Sequence, residues 1–368
     1  MLRPRTVVLA AGAALLARRA LRRRIGAAPL WPMPALEEPV SGRGRLATVT
    51  RRVLVTRRGE PAEGVVELRL EGTGLPAWQP GAHIELVLPS GLVRPYSLCG
   101  DPAETGAYTV TTRLIEEARG GRGGSREVHE RLHEGTEIEI RGPRNRFPLV
   151  DAPAYVFIAG GIGITPILAM LRAVEAAGAD WRLLYCGRSR ATLPYLDEVE
   201  KLGGADGRVT VVTGDRTERD DGPAGRRRRT GLPELGFLGA VRAGTAVYCC
   251  GPEGLMDAVT AALPEGHAPR LERFSPAAVA GGRPFEVELR RSARTVTVAA
   301  DQSVLAAVRS ALPGVPYSCE QGFCGTCRQR VLEGEIDHRD ELLTDAERTG
   351  SMLICVSRCA GERLVLDL

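Results

Sequence analysis

Residues 319–327 read Cys319-Glu320-Gln321-Gly322-Phe323-Cys324-Gly325-Thr326-Cys327, and a fourth cysteine, Cys355, follows in Leu353-Ile354-Cys355-Val356-Ser357-Arg358-Cys359. Cys-x4-Cys-x2-Cys with one distant cysteine is the spacing that wraps a [2Fe–2S] cluster. Three thiolates come from one tight loop and one from elsewhere, so that each iron sees tetrahedral sulfur. Gly322 and Gly325 give the loop the backbone freedom to bend around an inorganic core. A disulfide framework fits poorly, because nine cysteines in 368 residues are an odd and sparse set. Structural zinc usually pairs two short Cys-x-x-Cys knuckles, whereas here the fourth thiol stands alone. Cys319, Cys324, Cys327 and Cys355 are therefore the expected metal ligands. Cys359 competes for the fourth place. Cys355 is preferred because it follows the apolar run Met352-Leu353-Ile354, and Cys359 is expected to pack.

Outward from the cysteine loop the chain divides by its hydrophobic period. Residues 285–368 hold a hairpin pattern, a helix at 303–312, the cysteine loop and a last strand, which fit an α+β β-grasp domain. Residues 275–284 read as a linker. Residues 151–274 alternate buried strands with helical stretches, from AYVFIAGG and ITPILAMLRAVEAAG, read as an amphipathic helix, to TAVYCCGPE and GLMDAVTAAL. That alternation predicts an α/β domain with a parallel sheet. Residues 46–150 carry short runs of period two separated by Gly- and Pro-rich turns, which predict an antiparallel β-barrel. Residues 1–45 form a basic extension and a Pro-rich linker.

Four further motifs carry chemistry. In Arg94-Pro95-Tyr96-Ser97-Leu98 an arginine can pair with a phosphate, a tyrosine can lie against a flat ring, and a serine can offer its hydroxyl to a ring nitrogen. Together these suit a flavin; the plainer reading is a strand with a surface arginine. The stretch 120–125, GGRGGS, leads into a helix whose free N–H groups form an anion site, with Ser125 a candidate cap. Gly160-Gly161-Ile162-Gly163-Ile164-Thr165-Pro166 joins a buried strand to a helix and lets a pyrophosphate approach the backbone, although it is not the G-x-G-x-x-G fingerprint. Cys249-Cys250-Gly251-Pro252 ends a strand and leaves room for a flat ligand at the sheet edge, with Cys249 assigned to the strand interior by alternation.

In this order, RPYSL, GGRGGS, AGGIGITP, CCGP and CEQGFCGTC resemble the ferredoxin–NADP reductase superfamily, and most of all its phthalate dioxygenase reductase and vanillate demethylase reductase group. The resemblance covers residues 46–368. It implies a flavin barrel binding FMN, an α/β domain binding NADH and a C-terminal ferredoxin domain. By matching positions, Arg94, Tyr96 and Ser97 would hold the flavin, with Ser97 near flavin N5. Gly124 and Ser125 would bind the FMN phosphate. Gly161, Gly163, Ile164 and Thr165 would line the nucleotide site, and Cys250, Gly251 and Pro252 would lie near the nicotinamide, making Ser97 and Cys250 the expected catalytic pair. Glu272 and Phe274 match an acidic-x-aromatic element. Nothing beyond GGRGGS excludes FAD. Arg188 and Arg190 leave NADPH open beside NADH, because NADPH sites often use arginine.

The resemblance implies an enzyme that takes electrons from NAD(P)H through FMN and the [2Fe–2S] cluster to a terminal oxygenase, Rieske-type or cytochrome P450. Phe323 and the acidic stretch 333–347 are candidate docking surfaces, the latter equally well a solvated face. A different class, an iron–sulfur carrier or sensor without NADH turnover, would not need the intact GGIGITP and CCGP turns. The arginines of the N-terminus and of 226–229 raise nucleic-acid binding, but the net charge is only +4, aromatics are 4% and no nucleic-acid motif is present. The apolar run 7–17 is too short to span a bilayer, and arginines occupy the place of a cleavage site. A loosely docked extension is expected, with contact to a membrane surface as the alternative. Thiolate ligands suit a reducing compartment, so a cytoplasmic monomer is expected.

Overall fold

The computed structural model describes residues 49–116, 121–214, 233–276 and 281–368. The basic extension, the arginine run 226–229 and part of the expected linker lie outside the described residues. The first sheet contains β1 (Thr50–Ala62), β2 (Val65–Glu71), β3 (Ala82–Val87), β4 (Val93–Ser97), β5 (Ala107–Arg113) and β6 (Glu137–Asn145), with helix α1 (Gly124–Arg131) between the last two. Its order is β4-β3-β6-β1-β2-β5, antiparallel throughout. An antiparallel bridge between Leu98 and Val110 brings the two edges together into a barrel, which removes the open strand edges. The inward residues of the period-two runs, among them Val53, Val55, Leu68, Leu70, Ile84, Leu86 and Ile140, form its core.

The second sheet is parallel, in the order β11-β10-β7-β8-β9. Its strands are β7 (Ala154–Gly160), β8 (Asp180–Gly187), β9 (Val209–Thr213), β10 (Ala246–Cys250) and β11 (Arg270–Glu272), with α2 (Ile164–Ala176), α3 (Leu196–Gly203) and α4 (Glu253–Ala262) as crossovers or flanking helices. Cys249 and Cys250 point to opposite faces, into separate clusters, as strand alternation requires. Helix α2 departs from the amphipathic pattern. Residues 164–171 are all buried, because the helix lies between the parallel sheet and the barrel: Ile167, Leu168 and Met170 join the sheet's core while Ala169 joins the barrel's. A helix covered on two sides reads as apolar all round.

The third unit contains β12 (Phe285–Leu289), β13 (Arg294–Val298), α5 (Val304–Ala311), β14 (Arg328–Glu333), β15 (Ile336–Asp337), α6 (Asp345–Arg348), β16 (Ser351–Leu353), β17 (Arg358–Cys359) and β18 (Arg363–Leu366). The order is β13-β12-β18-β14-β16, with β12 and β18 parallel and β12–β13 the expected hairpin. Ser303 caps α5 by accepting from the Ala306 N–H at 3.1 Å, the arrangement that satisfies a free donor at a helix start. The fold is thus a barrel, a parallel α/β sheet and a ferredoxin-like sheet in series. Among the described residues, no helix is long and apolar enough to cross a membrane.

Candidate functional site

A cavity of about 890 Å³ opens where the three sheets meet, within the usual size of a cofactor cleft. Arg94, Tyr96 and Ser97 line it from β4, Gly124 and Ser125 from α1, and Gly161, Gly163 and Thr165 from the β7–α2 turn. Gly251 and Pro252 face it from the β10–α4 turn, and Cys319, Gln321 and Phe323 from the cysteine loop. The motifs quoted above, spread along the chain from Arg94 to Phe323, therefore converge on one space.

At one end, β4 passes across the start of α1. Arg94 is buried and donates to the carbonyls of Val93 at 2.8 Å and Arg122 at 2.9 Å. Its Nε is buried without a partner, a costly state for a charged donor unless an anion completes it. A Cβ on Gly124 would come within 2.6 Å of Arg94 Cγ, so only glycine lets the guanidinium lie against the helix start. There the first N–H groups of α1 are free. A guanidinium with one unpartnered donor beside a helix N-terminus fits a phosphate. Ser125 does not cap the helix. Gly123, in the left-handed region at φ 78°, is the N-cap residue, and the Ser125 hydroxyl accepts from the Ile115 N–H at 3.0 Å, tying the preceding loop back. Tyr96 is half-buried, and desolvation pushes its phenol up to about 12, so it is a neutral ring beside the cleft.

In the middle, Ser97 is buried and donates to Glu272 Oε2 at 3.3 Å. Burial pushes the Glu272 carboxyl up to about 8, with the Ser97 hydrogen bond opposing the shift. Cys250 is also buried, and its thiol is pushed up first by burial and then by Glu272. A neutral carboxyl from β11, a hydroxyl from β4 and a neutral thiol from β10 thus meet at the carboxyl ends of the parallel strands. Cys250 itself lies behind the cavity wall, whereas Gly251 forms the wall. Gly163 sits so close to β10 that a Cβ would meet the Cys250 carbonyl at 2.1 Å, and Gly160 would meet Pro252 at 2.6 Å. Gly161, at φ 56° with nothing near its would-be Cβ, faces open space. Thr165 donates to the Ile162 carbonyl at 3.0 Å and fixes the turn. Ile164 belongs to the sheet's core, so its side chain does not line the cavity.

At the far end the cavity reaches Cys186, Gly187 and Arg188 at the end of β8, with Arg113 and Thr192 opposite. Arg190 is held by both oxygens of Glu200, at 2.8 and 2.7 Å, and does not line the cavity.

The cysteine loop closes the other side. Cys319, Cys324, Cys327 and Cys355 are all buried. The thiols lie within hydrogen-bonding reach two by two, Cys319 with Cys324 and Cys355 with Cys327. Among the described residues no three metal-ligating side chains converge on one ion. Paired thiols suit two irons better than a single zinc. Backbone N–H groups of Gln321 and Thr326 point at Cys319 Sγ and Cys324 Sγ, at 3.3 and 3.5 Å, as hydrogen bonds to cluster sulfurs do. Gly322 and Gly325 sit at φ 80° and 82°, in the left-handed region that glycine adopts freely. Cys359 packs on β17, its thiol directed to the Arg363 carbonyl at 3.4 Å, away from this grouping.

Phe323 is no exposed lip. It is half-buried against the barrel, 5.5 Å from the His83 ring and under the Arg146 guanidinium at 5.0 Å. The acidic stretch is mostly engaged internally: Asp340 is buried beside His338, Glu341 pairs with Arg146, and Glu347 pairs with Arg328. The barrel and the loop are further joined by Ser318 donating to buried Glu85 at 2.6 Å and by Arg94 donating to the Tyr317 hydroxyl at 2.6 Å. His83, Glu85 and Tyr317 carry no motif in the sequence. The ring contact with Phe323 shows that His83, opposite Ser97 in the β3–β4 pairing, faces the cysteine loop.

Two family models match the chain: a 2Fe-2S iron-sulfur cluster binding domain over residues 287–360 and an oxidoreductase NAD-binding domain over residues 157–261. The chain is 36% identical to the tert-butanol monooxygenase / tert-amyl alcohol desaturase reductase subunit of Aquincola tertiaricarbonis, over 85% of this chain and 94% of that one. It is similar to the solved structure of phthalate dioxygenase reductase, with 32% identity, a TM-score of 0.60, and 87% and 98% of the two chains covered. It is also similar to part of an intact type IV self-sufficient cytochrome P450 monooxygenase, with 38% identity and a TM-score of 0.63. There the match covers 92% of this chain but spans only 44% of the longer one.

Proposed function

Since this chain belongs to the phthalate dioxygenase reductase and vanillate demethylase reductase group of the ferredoxin–NADP reductase superfamily, an NAD(P)H-dependent oxidoreductase family with a [2Fe–2S] domain, we propose that it delivers single electrons from a reduced nicotinamide nucleotide, through FMN and the cluster, to a separate oxygenase. The observation that carries this reading is the single cavity shared by the flavin-type motif of β4, the β7–α2 and β10–α4 turns and the cysteine loop. When bound, the flavin accepts a hydride and the cluster carries one electron at a time, which matches a two-electron donor to a one-electron acceptor. Arg94 and the N–H groups at Gly124 and Ser125 hold the single phosphate of FMN, one helix start serving one phosphate. Tyr96 would lie against the isoalloxazine, and Ser97 would offer its hydroxyl to the ring edge that faces the nucleotide turns. Gly161 and Gly163 admit the pyrophosphate of the nucleotide, and Gly251 and Pro252 leave a flat slot for the nicotinamide beside Cys250. Cys319, Cys324, Cys327 and Cys355 hold the cluster.

The oxygenase as acceptor rests on the company the chain keeps: a relative that is a monooxygenase reductase subunit and a neighbour fused to a cytochrome P450. Whether the acceptor is Rieske-type or a cytochrome P450 is decided by reconstitution with each. The reductase reading is tested by anaerobic titration of the purified holoprotein with NADH and NADPH. Bleaching of the flavin followed by reduction of the cluster is expected, and a flavin that stays oxidised would leave only an iron–sulfur carrier. Chromatography of the heat-released flavin, expected to give FMN, checks the cofactor.

A further inference from the structure

The far end of the cavity, at the carboxyl end of β8, is where a dinucleotide-binding sheet meets the adenosine ribose. An acidic residue there accepts from the 2′-hydroxyl of NADH, whereas arginine accommodates the 2′-phosphate of NADPH. This chain has Gly187-Arg188-Ser189-Arg190 at that place, and among the described residues no acidic side chain lines the cavity around it. Two glutamates of α3 are committed elsewhere, Glu198 to Arg172 at 2.7 Å and Glu200 to Arg190. Arg190 is thereby withdrawn from the site.

Arg188 has the opposite situation. It is exposed, lines the cavity, and has no carboxylate partner among the described residues. From the barrel side, Arg113 at the end of β5 reaches the same space. Its guanidinium donates only to backbone carbonyls, those of Glu63 at 3.4 Å and of Thr192. The two cations are near enough that Arg188 lowers the proton affinity of Arg113, after the larger effect of burial. Two guanidinium groups brought together by separate domains, neither paired with a carboxylate among the described residues, are held at a cost that a bound dianion relieves.

We propose that Arg188, with Arg113 facing it, forms a subsite for the 2′-phosphate of the nucleotide, so that this reductase takes NADPH in preference to NADH. The inference rests on the reductase reading above and names its electron donor. It also runs against the NADH expected from the family resemblance, on the ground that among the described residues a pair of arginines, and no acidic side chain, stands at the ribose end of the cavity. Arg188 is the residue that reads the phosphate; Arg113 holds the positive potential on the opposite wall.

The test compares adenosine 2′,5′-bisphosphate with adenosine 5′-phosphate by isothermal titration calorimetry on the holoprotein, alongside kcat/KM for NADPH and NADH in flavin reduction. A charge-assisted contact to phosphate is expected to favour the bisphosphate about 30-fold in Kd, with a similar NADPH preference. Arg188→Ala is expected to shrink both ratios to within about threefold of unity, and Arg188→Lys to restore part of each, since lysine keeps the charge without the fork. Equal binding of the two adenosine phosphates by the unmodified protein, or a preference that survives Arg188→Ala, overturns the proposal. Flavin reduction by both nucleotides with equal efficiency sinks the subsite alone. Reduction by neither sinks the reductase reading and the subsite with it.

Discussion

Glu272 shows how one residue's surroundings set its chemistry. Its carboxyl is raised from 4.5 to about 8, chiefly by burial. The folded chain therefore retains a proton that the unfolded chain has released between those two values. By linkage, stability contributed by this group is full below pH 4.5 and is lost as pH rises toward 8. The same ionisation places a negative charge beside Ser97 and Cys250 where the flavin is to gain negative charge. Flavin reduction by NADPH, followed by stopped-flow absorbance, is expected to slow about tenfold as pH rises from 7 to 9. Glu272→Gln should remove that limb of the profile, and a limb that persists in the variant would assign it to another group. Arg94 permits a second prediction at this scale. Arg94→Ala removes both the guanidinium at the helix start and its bond to Tyr317. Flavin affinity, measured as fluorescence on dilution, is expected to fall at least about tenfold. Much of this was legible in the chain, since Arg94, Ser97 and Cys250 announce themselves within short motifs. The burial of Glu272 was not, because it depends on β11 lying beside β10 and opposite β4. Nor was the division between Arg188 and Arg190, which turns on a glutamate in the following helix.

At the level of elements, the cysteine loop is the most self-contained part. Its spacing points to four expected ligands, and the glycine conformations and the Cys319–Cys324 pair follow from the loop itself, whereas Cys355 is brought beside Cys327 by the segment after β16. Cys324→Ser is expected to abolish the cluster's visible absorption and its paramagnetic signal on reduction, while NADPH still bleaches the flavin. Cys359→Ser should retain both, because that thiol faces the Arg363 carbonyl. Loss of the cluster in Cys359→Ser with retention in Cys355→Ser would exchange the two assignments. The β7–α2 turn has a different dependence. Gly163 is held against β10 with no room for a Cβ. Gly163→Ala is expected to cost about 2 kcal/mol through overpacking and to raise KM for the nucleotide, seen as a lowered Tm and weaker flavin reduction. The helix α2 illustrates why periodicity alone stops short. Its pattern gives a helix, but its burial on both sides reflects a barrel supplied by a distant part of the chain, which no window of local sequence contains.

For the molecule as a whole, the order of motifs predicted three sheets, yet the way the ferredoxin-like sheet sits on the barrel had no signal in the sequence. Its contacts are single residues scattered over both: Ser318 on Glu85, Tyr317 on Arg94, Phe323 between His83 and Arg146, and Glu341 paired with Arg146. This seam brings the cysteine loop to the wall of the cavity, so on the proposed function it is expected to govern internal electron transfer rather than the hydride step. Arg146 is exposed and pairs with Glu341 while lying over the Phe323 ring. Arg146→Glu sets a carboxylate against Glu341 and removes the cation from the Phe323 face, where such a contact contributes about 0.5–1 kcal/mol. In anaerobic stopped-flow experiments flavin bleaching should proceed at close to its original rate, while cluster reduction slows several-fold and more steeply at low salt, where like-charge repulsion is least screened. The paired exchange Arg146→Glu with Glu341→Arg should recover most of the lost rate, because it restores an ion pair of reversed polarity. Cluster reduction indifferent to Arg146→Glu would mean that this seam does not set the transfer rate; slowing that the paired exchange fails to rescue would place the effect in the Phe323 contact instead of the ion pair.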